Sequence, residues 1–238
     1  LDTAETPWNG FLGEFFEDTR AQIHYVPDAV HAMTFLGKIF PDIAFVNPSL
    51  FSMALGQKLK VFRQTAPQMR IFALGHPDPK IKRDFPFDDY FHQISSFPEF
   101  QKKLVKHLPV LENIRLLVVD DEPEVGSMLR DFLKDRTHPS YEVEYAADGQ
   151  KGLDAVARFR PDIILLDIKM PVMDGREVYR ELKQQGLEIP VIIFFDAVSG
   201  EEIVEIRRIG QPAVLEKGSR QSALMEMPDL IRKMIYFG

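Results

Sequence analysis

The chain has 238 residues, 45% of them hydrophobic and 27% charged, enough for one large or two ordinary globular domains and unlike a disordered composition. The absence of cysteine excludes disulfides and thiolate metal sites, and a formal charge of −7 argues against direct, charge-driven nucleic-acid binding. No apolar stretch approaches the ~18 residues of a membrane-spanning helix and no signal-peptide pattern opens the sequence, so the expected location is cytoplasmic, with no membrane partner.

In chain order, Phe11 and Phe15 sit at helical spacing, and Pro41-Asp42-Ile43-Ala44-Phe45-Val46-Asn47 reads as a buried strand. The stretches His76-Pro77-Asp78-Pro79-Lys80 and Phe85-Pro86-Phe87 hold three prolines, which argues against a regular helix between them. Asp89-Tyr90-Phe91-His92-Gln93 reads as a short strand, and Phe100, Leu104, Val105 and Leu108 recur as one helical stripe that Pro109 stops. Only Val110 to Asn113 remain before the next strand, a linker that allows little independent travel. Two domains are therefore expected, at 1–109 and 113–238.

Downstream, strand and helix alternate throughout. Strands are predicted near 115–119, 141–145, 162–167, 191–195 and 213–215, and helices over 123–134, 149–159, 175–185, 200–209 and 220–235. Val125, Met128, Leu129 and Phe132 stripe the first of these helices. Of 36 acidic and 29 basic residues, 12 of each lie upstream of residue 110, so the acid surplus falls wholly in this half, at 24 against 17.

Two apolar runs carry the chemistry. Leu116-Leu117-Val118-Val119 delivers Asp120-Asp121, and Ile163-Ile164-Leu165-Leu166 delivers Asp167, with Ile168-Lys169-Met170-Pro171-Val172-Met173-Asp174-Gly175 following. Both read as buried parallel strands, and ligands of parallel sheets gather beyond the carboxyl ends of the strands. If the two strands are neighbours, three carboxylates converge. They repel unless a hard divalent cation such as Mg2+ offsets them. Lys217, just past the short apolar run Ala213-Val214-Leu215, would add an ammonium to the same crevice.

With Asp120, Asp121, Asp167 in Leu165-Leu166-Asp167-Ile168-Lys169-Met170-Pro171, and Lys217 in this order and spacing, residues 114–236 resemble the receiver domain of bacterial response regulators. The resemblance implies a doubly wound α/β fold, a five-stranded parallel sheet of order 2-1-3-4-5. It also implies phosphoryl acceptance on Asp167 from a sensor histidine kinase, a phosphotransfer protein or a small phosphodonor. Mg2+ would be held by Asp121, Asp167, Asp120 through water, and the Lys169 backbone carbonyl, while Lys217 would contact the phosphoryl group. A homodimer through the 201–236 face is a further expectation; Arg207 and Arg208 mix there with Glu226 and Asp229, as on any solvated surface too.

The upstream half repeats the plan. Pro41–Asn47 aligns with Pro161–Asp167 at an offset of 120, which also carries Asp28 onto Asp148, and an offset of 118 places Asp2 on Asp120 and Phe15 on Leu133. Residues 1–109 thus resemble a divergent second receiver, a tandem pseudo-receiver. Asn47 stands where the phosphoacceptor aspartate belongs, Thr3 where an acid would hold the metal, and Gln93 in the lysine slot. If Asp2 ends a first strand, that strand begins before Leu1 and is truncated here.

The downstream half departs from the family in its relay. The hydroxyl expected at the end of the fourth strand is replaced by Phe195, followed by Asp196, whose carboxylate a one-residue register change would put in the hydroxyl's place. Val214 fills the aromatic slot of strand five, and Gly218 follows Lys217 in place of proline. Three functions compete: a response regulator of a phosphorelay, which is not an enzyme; a phosphorylation-independent tandem receiver scaffold for protein–protein interaction; and a Mg2+-dependent phosphohydrolase, whose Asp-x-Asp signature Val119-Asp120-Asp121 lacks. The first is preferred. No output module is read in the sequence.

Overall fold

Residue periodicity resolves into alternating strands and helices in a computed structural model that describes residues 7–39, 41–76, 78–109, 111–136, 139–196, 200–218 and 220–238. The chain divides into two units, one comprising Leu1–Phe15 and Gln22–His107, the other Phe16–Ala21 and Leu108–Gly238. Among the described residues, no helix is long and apolar enough to cross a membrane.

The upstream unit contains helices α1 (Pro7–Phe16) and α2 (Ala29–Leu36), strand β1 (Ile43–Val46), a 3-10 turn (Pro48–Leu50), α3 (Met53–Thr65), β2 (Arg70–Leu74), α4 (Pro79–Asp84), β3 (Asp89–Phe91) and α5 (Phe97–Val105). Its described strands form a parallel sheet in the order β1-β2-β3, three strands where five were expected. Asp2 and Thr3 lie outside the described residues. Between α1 and α2 the side chains of Ile23 and Tyr25 are exposed, without the burial that would hold this stretch in a sheet.

Phenylalanine fills one layer of this unit, where Phe45, Phe72, Phe91 and Phe100 meet at centroid distances of 5.1–6.3 Å. The proline-rich stretch forms a short helix despite its composition. Pro79 takes the first helical position, where its missing N–H is not needed, and Asp78 caps the turn by accepting from the Lys80 N–H at 2.7 Å. The 120-residue offset also holds locally. Asp28 caps α2 through the Val30 and His31 N–H groups, as Asp148 caps the later helix beginning at Gly149.

The downstream unit runs β4 (Asn113–Val119), α6 (Pro123–Leu133), β5 (Ser140–Ala146), α7 (Gly149–Phe159), β6 (Ile163–Leu166), α8 (Gly175–Gln184), β7 (Val191–Phe195), α9 (Gly200–Ile209), β8 (Ala213–Glu216) and α10 (Arg220–Phe237). The sheet is parallel throughout in the order β5-β4-β6-β7-β8, the 2-1-3-4-5 winding expected from the sequence. Alternation sends successive residues to opposite faces. Leu116, Val118, Ile163, Leu165 and Phe194 join Leu129, Met227 and Ile231 in one core. Leu117, Val119, Ile164, Leu166 and Ile193 join Val178, Leu182 and Ile206 in the other. Continuous apolar runs are what a sheet covered on both faces requires.

Segment Phe16–Ala21 belongs to this unit. The Arg20 N–H donates to the Phe237 carbonyl at 2.8 Å, its guanidinium pairs with Glu188, and Arg207 on α9 reaches Glu17 and Asp18 at 3.2 and 3.1 Å.

In the upstream unit, Asp89 accepts from Lys103 Nζ at 2.9 Å and from the Tyr90 N–H at 2.7 Å, with His107 Nε2 at 2.8 Å. Burial pushes its carboxyl up, but the hydrogen bonds from Lys103, Tyr90 and His107 outweigh burial and hold it at about 2. A folded value below the unfolded ~3.9 means that folding favours the ionised form. This contribution is complete above about pH 4 and is lost as pH falls toward about 2. Asp89→Asn should therefore lower stability at neutral pH and flatten the acid limb between about pH 4 and 2, as followed by the fluorescence of the single tryptophan, Trp8. Parallel acid limbs for variant and wild type would refute this assignment.

Candidate functional site

Three strands end within reach of one point. Asp120 follows β4, its N–H donating to the Ala146 carbonyl at 3.0 Å, while the Tyr145 hydroxyl donates to the Asp120 carbonyl at 2.7 Å. Asp167 follows β6, its N–H donating to the Val119 carbonyl at 2.8 Å. Lys217 follows β8 and donates its N–H to the Phe195 carbonyl at 2.6 Å. Each functional residue is thus the first beyond a strand, fixed by a backbone bond to the neighbouring strand.

The side chains converge in the interior of the crevice, with only 1% of Asp120, 6% of Asp167 and 5% of Lys217 exposed. Lys217 Nζ lies 3.0 Å from Asp120 Oδ2 and 3.2 Å from Asp167 Oδ1. Two further carboxylates reach the same nitrogen, Asp196 Oδ2 at 3.8 Å and Glu122 Oε1 at 4.0 Å. Asp120 Oδ1 accepts the Glu122 N–H at 2.9 Å, whereas the buried Oδ2 lies off the hydrogen-bond directions of the ammonium. Burial works against the Lys217 charge, yet the carboxylates of Asp120 and Asp167, at 3.0 and 3.2 Å, hold its pKa above the ordinary lysine value. Burial raises the Asp167 carboxyl; Lys217 opposes it, Asp120 and Asp121 reinforce it, and the result is about 6.

Of the residues expected from the sequence, Asp120, Asp167 and Lys217 are brought together. Asp121 and Lys169 are exposed, and Asp121 acts on Asp167 through its charge. Among the described residues, no three acidic or histidine side chains form a ready-made metal cage, because Lys217 lies between Asp120 and Asp167. The donor set nevertheless fits a hard cation: several carboxylate oxygens face one ammonium, and Asp120 Oδ2 is a buried acceptor without an aligned donor.

Neither Glu122 nor the Tyr145 hydroxyl was singled out from the sequence. The signal for Asp196 was its position directly after a strand, shared with Asp120 and Asp167. Asp162, just before β6, accepts from the Arg115 N–H at 2.8 Å and pairs with its guanidinium at 3.1 Å.

The loop beyond Asp167 is packed to its limit. Asp174 caps α8 in a reciprocal capping box with Glu177, and the Gly175 N–H donates to the Ile168 carbonyl at 2.9 Å. A Cβ on Gly175 would stand 2.1 Å from the Asp167 carbonyl oxygen. Val172, in the same loop, takes a left-handed φ of 74°, a strained conformation for a β-branched residue. The upstream residues Asn47 and Gln93, compared with the site in the sequence, have other surroundings. Asn47 Oδ1 accepts from the Ser49 N–H and hydroxyl at 3.0 and 2.8 Å, capping the turn, and Gln93 follows β3 with φ of 57°. Thr3 lies outside the described residues.

A doubly wound parallel sheet with two acids and a lysine at its carboxyl edge defines a class, and residues 116–229 match the family model described as response regulator receiver domain. By that match, residues 116–229 of the downstream unit form a response regulator receiver domain of the two-component type. Among curated proteins it is similar to Response regulator MprA of Mycolicibacterium vanbaalenii, at 36% identity over 121 residues, covering 50% of this chain and 51% of that protein. The chain thus spans about half the length of the curated relatives it matches. Among solved structures it is similar to the response regulator domain of Thermotoga maritima CheB, at 27% identity and TM-score 0.47, covering 52% of this chain and 98% of that one. A chemotaxis protein CheY4 structure from Vibrio cholerae gives 29% identity and TM-score 0.45, covering 50% and 98%.

Two outcomes follow from this packing and charge. Asp167 binds its proton more tightly folded, at about 6, than unfolded, at ~3.9, so without a metal stability falls as pH rises between these values. In chelator, Asp167→Asn should be more stable than wild type at pH 7.5, by about 1 kcal/mol after allowing for solvent screening, with the gap closing below about pH 4. Thermal melts across pH decide it, and a variant no more stable at pH 7.5 would contradict the assignment. Gly175→Ala should destabilise the unit by about 1–3 kcal/mol, since backbone must move to admit the methyl group. Urea unfolding that matched wild type would show that the loop yields freely.

Proposed function

We propose that the downstream unit, taken as residues 113–238, accepts a phosphoryl group on Asp167, and that a sensor histidine kinase or phosphotransfer protein supplies it. The observation that carries this reading is the pairing of two buried carboxylates with the Lys217 ammonium at the carboxyl edge of the sheet. Phosphoryl transfer asks little covalent help of a protein; it needs donor and acceptor in line and the developing negative charge offset. An Asp167 oxygen attacks phosphorus, the phosphorus–nitrogen bond of the donor breaks, and its electron pair leaves on the imidazole. Lys217, already charged and buried, supports the phosphoryl oxygens from one side.

Asp120, Asp121, Asp167 and the Lys169 carbonyl are the groups that would hold Mg2+. Bound there, Mg2+ would offset the charge of carboxylates and phosphoryl oxygens together. With only 5% of Lys217 exposed, its ammonium is held out of bulk water, and its charge counts for more there than it would in solvent. Acceptance would control a protein contact or an output module.

Residues 1–109 are read as a pseudo-receiver. The shared offset of β1 with β6 and of the caps Asp28 and Asp148 supports common descent of the two plans, and Asn47, an amide used as a turn cap, supports the loss of acceptor chemistry. A homodimer through the 201–236 face would have to work around Arg207, which is already paired with Glu17 and Asp18. One observation favours a phosphorylation-independent scaffold for protein–protein interaction: Phe195 ends the strand where a phosphoryl-sensing hydroxyl was sought, and Asp196 beside it adds a carboxylate.

Labelling with radioactive acetyl phosphate separates the readings. Wild type should take up label with Mg2+ and none in chelator, Asp167→Asn none in either, and Lys217→Ala should lose label more than it loses Mg2+ affinity. Equal labelling of wild type and Asp167→Asn would remove Asp167 as acceptor, and Mg2+ binding without any uptake would favour the scaffold.

A further inference from the structure

Asp196 is not accounted for by the acceptor chemistry, and its position follows from the sheet. Phe195 pairs in register with Glu216, and the Lys217 N–H donates to the Phe195 carbonyl at 2.6 Å. The residues that follow β7 and β8 are thereby held side by side, which brings Asp196 Oδ2 to 3.8 Å from Lys217 Nζ. The carboxylates around that nitrogen differ in freedom. Asp120 and Asp167 are buried and tied through the strand ends, whereas the Asp196 side chain is 70% exposed. It therefore flanks the open side of the crevice, from which a donor must approach.

We propose that Asp196 is a resident competitor for the Lys217 ammonium, opposing the arrival of an anionic group on Asp167. The proposal rests on the acceptor reading above and adds a residue that sets how readily the site is filled. A phosphoryl group brings about two negative charges into a crevice where Lys217 already faces four carboxylates. Buried Asp120 cannot withdraw. Exposed Asp196 must either give up the ammonium and turn outward or remain as a like charge beside the newcomer. Both raise the free energy of the filled site relative to the empty one, and neither requires Asp196 to touch the metal. Phe195, the preceding residue, offers no hydroxyl to compensate.

This assigns Asp196 a sign opposite to that of a hydroxyl at the same place: removing its charge should favour occupancy. The test uses beryllofluoride, a phosphoryl mimic, titrated into the full chain in Mg2+ and read by fluorine NMR. Asp196→Asn, which keeps the shape and removes the charge, should bind about tenfold more tightly than wild type. Asp196→Glu, which restores a charge, should return toward wild type. The gap between Asn variant and wild type should narrow as salt is raised, because an exposed charge is screened. Mg2+ affinity measured without beryllofluoride should change far less than tenfold. Glu122→Gln serves as the comparison for a carboxylate at 4.0 Å that lies on the other side, at the start of α6.

Equal beryllofluoride affinity in wild type and Asp196→Asn, or weaker binding in the variant, overturns the inference and leaves the acceptor reading standing. A collapse of Mg2+ affinity in Asp196→Asn alone also overturns it, by making Asp196 a metal ligand. Silence from wild type and every variant removes the acceptor reading and this inference together.

Discussion

A single ammonium held among carboxylates at the edge of a parallel sheet is the interaction on which the downstream unit turns. Lys217 is nearly sealed from solvent and lies 3.0 and 3.2 Å from two carboxylates that are sealed as well. Isolated charges are costly to bury, and removing one partner of a buried pair costs on the order of 3–5 kcal/mol because the other is left unpaired. Here the acids outnumber the base, so pairing is incomplete by construction. Burial drives Asp167 up to about 6, and Asp120 keeps an oxygen without an aligned donor. A core built for stability alone would avoid this surplus. The proposed acceptor site would use it, for a cation and for an incoming anion.

The scaffold makes such a cluster tolerable. Two apolar layers, one on each face, hold β4, β6 and β8 so firmly that the residue after each strand has little choice of position. The backbone bonds from Asp120 to Ala146, from Asp167 to Val119 and from Lys217 to Phe195 fix the three strand ends relative to one another. The loop that leaves Asp167 is held by the capped start of α8 and by Gly175, whose missing side chain lets the helix approach the Asp167 carbonyl. Packing energy is thereby converted into placement of charge.

Among the described residues of the upstream unit, no charged side chain is buried. Its described strands form a parallel sheet, and phenylalanines supply much of its packing. Asn47 stops the turn after β1 with its amide oxygen, a structural use of a position whose counterpart downstream ends in a buried acid. The acid pairing found upstream, Asp89 with Lys103 and His107, is satisfied by its own partners.

Much of this was legible in the residue order, because apolar period and turn chemistry are local properties. The downstream strands and helices fall where Leu116–Val119, Ile163–Leu166 and the stripe Val125–Leu129 required them, and the 2-1-3-4-5 winding is the one that the resemblance implied and the crossover rule allows. Asp120, Asp167 and Lys217 could be named from their place after strands. Other features depend on groups distant in the chain and could not be read off. The Tyr145 hydroxyl on the Asp120 carbonyl, the approach of Asp196 to Lys217 and the pairing of Arg207 with Glu17 arise only when strands register and surfaces meet. The short helix Pro79–Asp84 was misjudged because proline content was weighed without its position at the first helical turn. Sequence determined which residues stand at the ends of strands, since burial enforces that pattern. Tertiary structure decided how many carboxylates share one ammonium, since Coulomb energy depends on distances that no local pattern encodes.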